Sequence, residues 1–214
     1  MGNFWARYKR NHAAVFGLFV IVLIIVMAIT ASFLYPEDPF RLVGKPLSKP
    51  LTNGFLLGSD SLGRDVASGI VHGAKTSLLI GFVATLVSVF IGIFFGAFAG
   101  YFGGIIDDIL MRVTEIFQTI PSFIFAILLV AIMKPSMGSI VIAIAVVSWP
   151  GVARLVRGEF LAVKNREFVQ ACPTLGMNDL RIMLWEILPN CLSPIIVVGS
   201  LMVATAILIE SGLA

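Results

Sequence analysis

Between Ala13 and Leu34 the chain runs for about 22 residues without a charged side chain, enough for an α-helix to cross the hydrocarbon core of a bilayer. Four further apolar segments come after it, at about 77–100, 109–133, 138–156 and 191–211, the first being about 13–35. They are continuous rather than alternating, which speaks for helices and against a membrane β-barrel. The fold class this predicts is all-α: a polytopic transmembrane helical bundle of about five helices. Composition agrees. The chain is 58% hydrophobic and only 13% charged, against roughly 25% charged in a soluble domain, too little charge to cover a water-soluble surface. The first apolar run also exceeds the roughly 7–15 residues of a signal-peptide core, so it reads as a retained helix.

Several function classes drop out at this level. The net charge of +3 is modest and the basic residues are scattered, so no nucleic-acid patch is present. Cys172 and Cys191 stand at neither metal-ligand nor redox spacing, and read as small apolar filler. His12 and His72 are isolated, and neither His-Glu-x-x-His nor Gly-x-Ser-x-Gly occurs. No catalytic residue, metal site or cofactor is expected. Charge within the spans is sparse: Arg112, Glu115 and Arg154 fall near segment ends, and Glu210 near the far end of the fifth. A proton-coupled carrier needs titratable groups near the midplane, and none is evident, which counts against that class.

The chain divides into an N-terminal interfacial segment with the first helix (1–35), a long polar loop (36–76) punctuated by Pro36, Pro39, Pro46 and Pro50, and a helical core (77–214). The core contains a charged loop at about 157–190. The start, Phe4-Trp5-Ala6-Arg7-Tyr8-Lys9-Arg10-Asn11, mixes aromatic and basic side chains and suits an interfacial anchor. With the N-terminus inside, nine Lys and Arg fall on the inner side (Arg7 through Arg181) and six on the outer side, Arg41, Lys45, Lys49, Arg64, Lys75 and Lys134. That bias places the N-terminus and the loop 157–190 in the cytoplasm and the loop 36–76 and, with five spans, residue 214 outside.

Local patterns add detail. Gly92, Gly96, Gly100 and Gly104 recur every four residues and form a smooth helical stripe. The stripe suits ordinary intramolecular helix packing, or a contact with another subunit or the pore. By that reading Gly96→Leu is more harmful than Gly81→Leu, since Gly81 lies off the stripe. Pro121, Pro150 and Pro189 punctuate helices, and Pro121 and Pro150 are placed to break backbone hydrogen bonds inside membrane segments. In the charged loop, Gly176 allows a sharp turn, Asn178 or Asp179 can cap the next helix, and Pro173 removes a backbone donor and is expected to distort the short helix before it.

Two runs of residues resemble a known family. Gln170-Ala171-Cys172, Gly176 and Glu186-Ile187-Leu188-Pro189 match the Glu-Ala-Ala, Gly, Ile-x-Leu-Pro pattern of the cytoplasmic coupling loop in ABC importer permeases. The Gly and the Leu-Pro stand at the family spacing; Gln, Cys and Glu replace Glu, the second Ala and Ile. Gly58-Ser59-Asp60-Ser61-Leu62-Gly63-Arg64-Asp65 resembles the Gly-Thr-Asp-x-x-Gly-Arg-Asp signature of the peptide and nickel branch. Asp60, Arg64 and Asp65 are there expected to pair and to cap the helix entering the membrane.

The chain is thus similar to binding-protein-dependent ABC transporter permeases of the dipeptide/oligopeptide/nickel branch, second-subunit type. That resemblance implies a location in the bacterial inner membrane. It implies the function of a non-enzymatic permease subunit forming the path for di- or oligopeptides. The partners it implies are a second homologous permease, two cytoplasmic ATPase subunits, a periplasmic solute-binding protein and membrane lipid. By the same resemblance Gln170, Ala171, Cys172, Gly176, Leu188 and Pro189 engage the ATPase, and residues 168–182 dock in its groove. Relatives have a sixth helix beyond Glu210-Ser211-Gly212-Leu213-Ala214, so a truncated or frameshifted product is expected. Alternatives are a nickel or glutathione-type importer permease, an inactive truncated permease serving as a membrane scaffold, and a secondary carrier.

Overall fold

A helix that must bury or lipid-shield every backbone polar group runs long, and four helices among the described residues do. The computed structural model describes residues 8–52, 54–134 and 136–213. Its helices are α1 (His12–Leu34), α2 (Val66–Phe102), α3 (Gly104–Thr119), α4 (Ser122–Ile132), α5 (Met137–Lys164), α6 (Glu167–Gln170) and α7 (Asp179–Leu213). The β-structure among the described residues is confined to the bridges Thr52–Phe55 and Ser59–Asp65. By length and composition α1, α2, α5 and α7 can each cross a membrane, and α3 with α4 form a bent pair that would make a fifth crossing. The all-α polytopic bundle is what the sequence implied. Of the aromatic-basic start, Phe4 to Arg7 lie outside the described residues, as do Pro135 and Ala214.

The chain forms two compact units, one through Leu79 and one from Ile80. In the first, α1 exposes most of its apolar side chains, Phe16, Phe19, Ile29 and Phe33 among them, while Ala28 and Ala31 are buried. Asn11 caps α1 by accepting a hydrogen bond from Ala14 N at 3.2 Å. The His72 ring hydrogen-bonds Tyr35 O at 2.9 Å, and Lys75 donates to Ser32 Oγ at 3.1 Å. The loop after α1 is held by its own turns. Gly58 and Gly63 have φ of +84° and +82°, and a Cβ on them would meet Ser48 O at 2.4 Å and Gly44 O at 2.3 Å. Only glycine fits both the backbone angle and the space.

In the second unit α2 and α5 touch backbone to backbone. A Cβ on Gly92 would lie 2.4 Å from Val152 Cβ, one on Gly96 2.4 Å from Ala153 O, and one on Gly100 2.7 Å from Phe160 Cβ. The main apolar core runs from this seam into the helices on either side of the charged loop: Ala97 and Tyr101 of α2, Val152, Val156, Phe160 and Val163 of α5, Val169 and Cys172 from the loop, and Ile182, Met183, Ile187, Cys191 and Ile195 of α7.

Several boundaries differ from the sequence expectation. The segment 109–133 is two helices bent by 82° at Ile120–Pro121. The eleven residues of α4 rise only about 16 Å, half of a hydrocarbon core, while α3 carries Asp107, Asp108, Arg112 and Glu115. Helix α2 begins at Val66 rather than 77, because Asp65 caps it: its Oδ1 accepts from Ala67 N at 2.9 Å. Helix α5 continues to Lys164 and α7 starts at Asp179, so the stretch outside long helices is 165–178, not 157–190. Pro150 sits buried inside a continuous α5. Gly104 leaves the stripe: it has φ +53°, nothing lies within 4 Å of its Cβ position, and with Gly103 (φ +67°) it forms the turn between α2 and α3. Gly81 is no neutral control, since its Cβ would fall 2.7 Å from Ile207 Cγ1.

Candidate functional site

The segment 165–178 is a compact reversal built from local rules. Helix α5 ends at Lys164, and Asn165 and Arg166 lead into the single turn of α6. Cys172 N donates to Val169 O at 3.1 Å, and the Cys172 thiol to Phe168 O at 3.2 Å. Pro173 opens a 3₁₀ turn, Pro173–Leu175. Its missing N–H costs nothing there, so it begins the second turn instead of distorting the first. Gly176 comes next in the left-handed region, φ +76° and ψ +19°. Gly176 N donates to Pro173 O at 3.0 Å and Met177 N to Cys172 O at 3.2 Å, the paired bonds of a Schellman ending. Met177 packs on the core beyond it. Asn178 then caps α7, its Oδ1 accepting from Arg181 N at 2.9 Å.

This turn has an inner and an outer face. Val169 and Cys172 point inward and are buried at 4% and 5% exposure. Gln170, Ala171, Pro173, Thr174 and Gly176 are exposed, and Leu175 at the apex is 78% exposed. The exposed apolar surface continues through Phe168 on one side and Leu180, Leu184 and Trp185 on the other. Of the six residues expected to engage a partner, Gln170, Ala171 and Gly176 therefore share an exposed surface. Cys172 is held inside, and Leu188 is half-buried against the core. Pro189 is exposed but belongs to α7. It lacks the N–H that would bond the Trp185 carbonyl, and the helix winds wider, in π fashion, over Ile182–Ile187 just before it.

The turn is anchored by polar contacts that sequence reading did not find. Tyr101, at the end of α2, donates its hydroxyl to Asp179 Oδ1 at 2.7 Å. Lys164 Nζ donates to the Tyr101 carbonyl and lies 5.3 Å from the centre of its ring. A cleft of about 270 Å³ opens between Tyr101, Lys164, Val169, Gln170, Pro173 and Ile182. Nearby, α3 and α5 present a charged cleft of about 350 Å³ with Asp107, Asp108, Glu115, Arg154 and Arg157 in its walls. Arg157 there grips Asp107 through two hydrogen bonds.

The second sequence pattern lies in the first unit. Asp60 Oδ1 accepts from Leu62 N and Arg64 N, both at 2.8 Å. The backbone hydrogen bond from Arg64, opposed by some burial and helped by that from Leu62 and the Arg64 charge, lowers the carboxyl's pKa from its ordinary value. Arg64 thus pairs with Asp60 through its backbone, and among the described residues no ion pair joins its guanidinium to Asp60 or Asp65. The Arg64 guanidinium instead lies 5.5 Å from the centre of the Phe40 ring. The Gly-Arg-Asp run thus makes a turn and a helix cap. Among the described residues no cluster of His, Cys, Asp and Glu is arranged to hold a metal.

Known proteins match nearly the whole chain. Residues 92–213, which include the turn, match the family described as binding-protein-dependent transport system inner membrane component. Residues 1–49 match the N-terminal TM domain of oligopeptide transport permease C. The dipeptide transport system permease protein DppC of Bacillus subtilis is 40% identical over 97% of this chain and 65% of its own length. That of Escherichia coli K12 is 42% identical over 96% of this chain and 71% of its own. The glutathione transport system permease protein GsiD of Pectobacterium atrosepticum is 36% identical over 99% and 70%. The chain therefore spans about two thirds of the length of the relatives it matches.

Proposed function

Since the chain belongs to the family of binding-protein-dependent transport system inner membrane components, we propose that it is a permease subunit of an ATP-driven importer for dipeptides and short oligopeptides. The family is one of transport permeases rather than enzymes, and it resides in the inner membrane. The finer assignment to dipeptides rests on relatives of that name at 40% and 42% identity. Glutathione, itself a small peptide, stands second on a relative at 36%.

The observation that carries the mechanism is the two-faced turn 165–178 inside the matched region. In the proposed cycle a binding protein delivers the peptide, a second permease completes the path, and paired ATPase subunits close on ATP. Their closure pushes on the outer face of the turn, at Gln170, Ala171 and Leu175. Val169 and Cys172 are packed in the main core, and a close-packed interior deforms little under load. The push therefore reaches α5 and α7 as a displacement of whole helices, the kind of motion that opens one side of a path while closing the other. This chain supplies the lever and part of the wall; bond-breaking takes place on the ATPase.

The test is reconstitution. The chain, a partner permease, the ATPase subunits and the binding protein are assembled in liposomes, and ATP-dependent accumulation of a labelled dipeptide is measured with and without excess glutathione. Accumulation that needs ATP, the binding protein and this chain supports the assignment. Accumulation of glutathione in preference to dipeptides replaces the substrate, and no ATP-dependent uptake of either overturns the proposal.

A further inference from the structure

We infer that Tyr101 is the positioning residue through which the turn 165–178 moves α2 together with α5 and α7. The inference rests on the importer reading and goes one step further, to the residue that transmits the stroke. Three contacts point to it. The Tyr101 hydroxyl donates to Asp179 Oδ1 at 2.7 Å, across 78 residues of chain. Its carbonyl accepts from Lys164 Nζ, across 63 residues. Its ring carries the Lys164 ammonium 5.3 Å from its centre.

Lys164 is the last residue of α5 and Asp179 the first of α7. They are therefore the two posts between which the whole turn hangs, and one residue of a third helix is fastened to both. The chemistry at each post is favourable on general grounds. Tyr101 stands in the last turn of α2, where carbonyls lack a helical partner, and a lysine there satisfies one of them and suits the negative end of the helix. Asp179 stands in the first turn of α7, where a carboxylate suits the positive end and accepts a strong hydrogen bond from a phenol. Tyr101 itself is buried, at 9% exposure, inside the same core as Val169 and Cys172.

The consequence is mechanical. Without the Tyr101 bonds a push on the turn can spread the ends of α5 and α7 while α2 lags behind. With them the three helix ends move as one body. The contacts of Tyr101 are with Asp179 and Lys164, the two ends of the turn, so its removal is expected to act on the yield of transport per ATP.

The experiment uses the assembled transporter in liposomes and reads two rates together, peptide accumulated and ATP hydrolysed. Tyr101→Phe keeps the ring and the carbonyl and deletes only the hydroxyl. It is expected to lower peptide accumulated per ATP by about tenfold, the size of a hydrogen bond to a charged group. Asp179→Ala is expected to match it, and Asp179→Asn, which keeps an accepting oxygen, to restore most of the yield. The double variant Tyr101→Phe/Asp179→Ala is expected to be no worse than either single one. A Tyr101→Phe transporter with unaltered yield overturns the inference, as does one in which both rates fall in parallel, the mark of plain destabilisation. Additive losses in the double variant overturn it too. Absence of ATP-driven uptake in the unaltered assembly is a different failure: it removes the importer reading and this inference with it.

Discussion

Arg157 of α5 grips Asp107 of α3 with both prongs of its guanidinium, Nε to Oδ1 at 2.5 Å and Nη2 to Oδ2 at 2.6 Å. The Asp107 side chain is 14% exposed and that of Arg157 35%. Asp107 lies in the first turn of α3, where the helix dipole favours a negative charge. Two parallel bonds in a partly shielded place are worth more than an exposed ion pair. Lysine cannot reproduce the fork. Arg157→Lys is therefore expected to lower stability by about 1–2 kcal/mol, read as an earlier melting transition in detergent, with Asp107→Asn causing a similar loss. An unchanged transition for both variants would show that the clamp contributes nothing.

The seam between α2 and α5 separates two kinds of glycine. At Gly96 a methyl group would stand 2.4 Å from the Ala153 carbonyl oxygen, a backbone atom that yields only if a helix moves, while nothing lies within 4 Å at Gly158. Gly96→Ala is thus expected to destabilise by about 1–3 kcal/mol. Gly158→Ala is expected to stabilise by about 0.5–1 kcal/mol, because alanine loses less backbone entropy in a helix. Melting of the two variants side by side decides it. Equal transitions would mean the helices are not in close contact at Gly96.

Much of this architecture is legible from residue order, and the limits have physical causes. Ala13–Leu34 is recognisable as a span because its apolar length alone meets the bilayer thickness. The left-handed turn at Gly176 is legible because few other residues accept that geometry. The break at Ile120–Pro121 is marked by Pro121, but its extent is harder to see: α3 carries its charges on part of its surface, so hydropathy runs on into α4 as though one segment continued. The start of α2 at Val66 escapes a reading of apolar length, since His72 and Lys75 lie in its first turns and only the Asp65 cap marks the beginning. Gly81 looks like a lone glycine until Ile207, far away in sequence, is found beside it. Tyr101 with Asp179 and Arg157 with Asp107 are invisible for the same reason. Each pair is fixed by how two helices are rotated against one another, and nothing local in a sequence encodes that rotation.

Asp60 gives the loop between α1 and α2 a pH dependence with a definite sign. Its folded pKa lies below the unfolded value, chiefly because Arg64 N donates to the ionised carboxylate. A depressed carboxyl contributes stability that is fully present above the unfolded pKa of about 3.9 and is lost as pH falls through the folded value. Protection of the Leu62 and Arg64 amides from hydrogen exchange, corrected for intrinsic rates, is therefore expected to hold at about pH 6 and to decline only below about pH 4. Asp60→Asn keeps an accepting oxygen but no titrating group, so its protection is expected to stay level through the same range. A parallel decline in that variant would assign the transition to another group.

The apex of the turn separates surface from fold within two adjacent residues. Leu175 is 78% exposed and lies outside the core, so Leu175→Asp is expected to leave melting within about 0.5 kcal/mol of the unaltered chain. If the apex sits in an ATPase groove, the same change buries a charge in that groove, and co-purification of the ATPase is expected to fall at least about tenfold. Gly176 acts through the backbone. Its φ of +76° costs a β-branched residue about 1–2 kcal/mol, so Gly176→Val is expected to loosen the turn and lower both stability and ATPase association, with Gly176→Ala intermediate. Membrane insertion is expected to persist in all three, since the turn lies outside every span. Measured together, melting and co-purification distinguish the two routes. A Leu175→Asp chain that still brings down the ATPase and supports full peptide uptake would show that the partner grips the turn elsewhere.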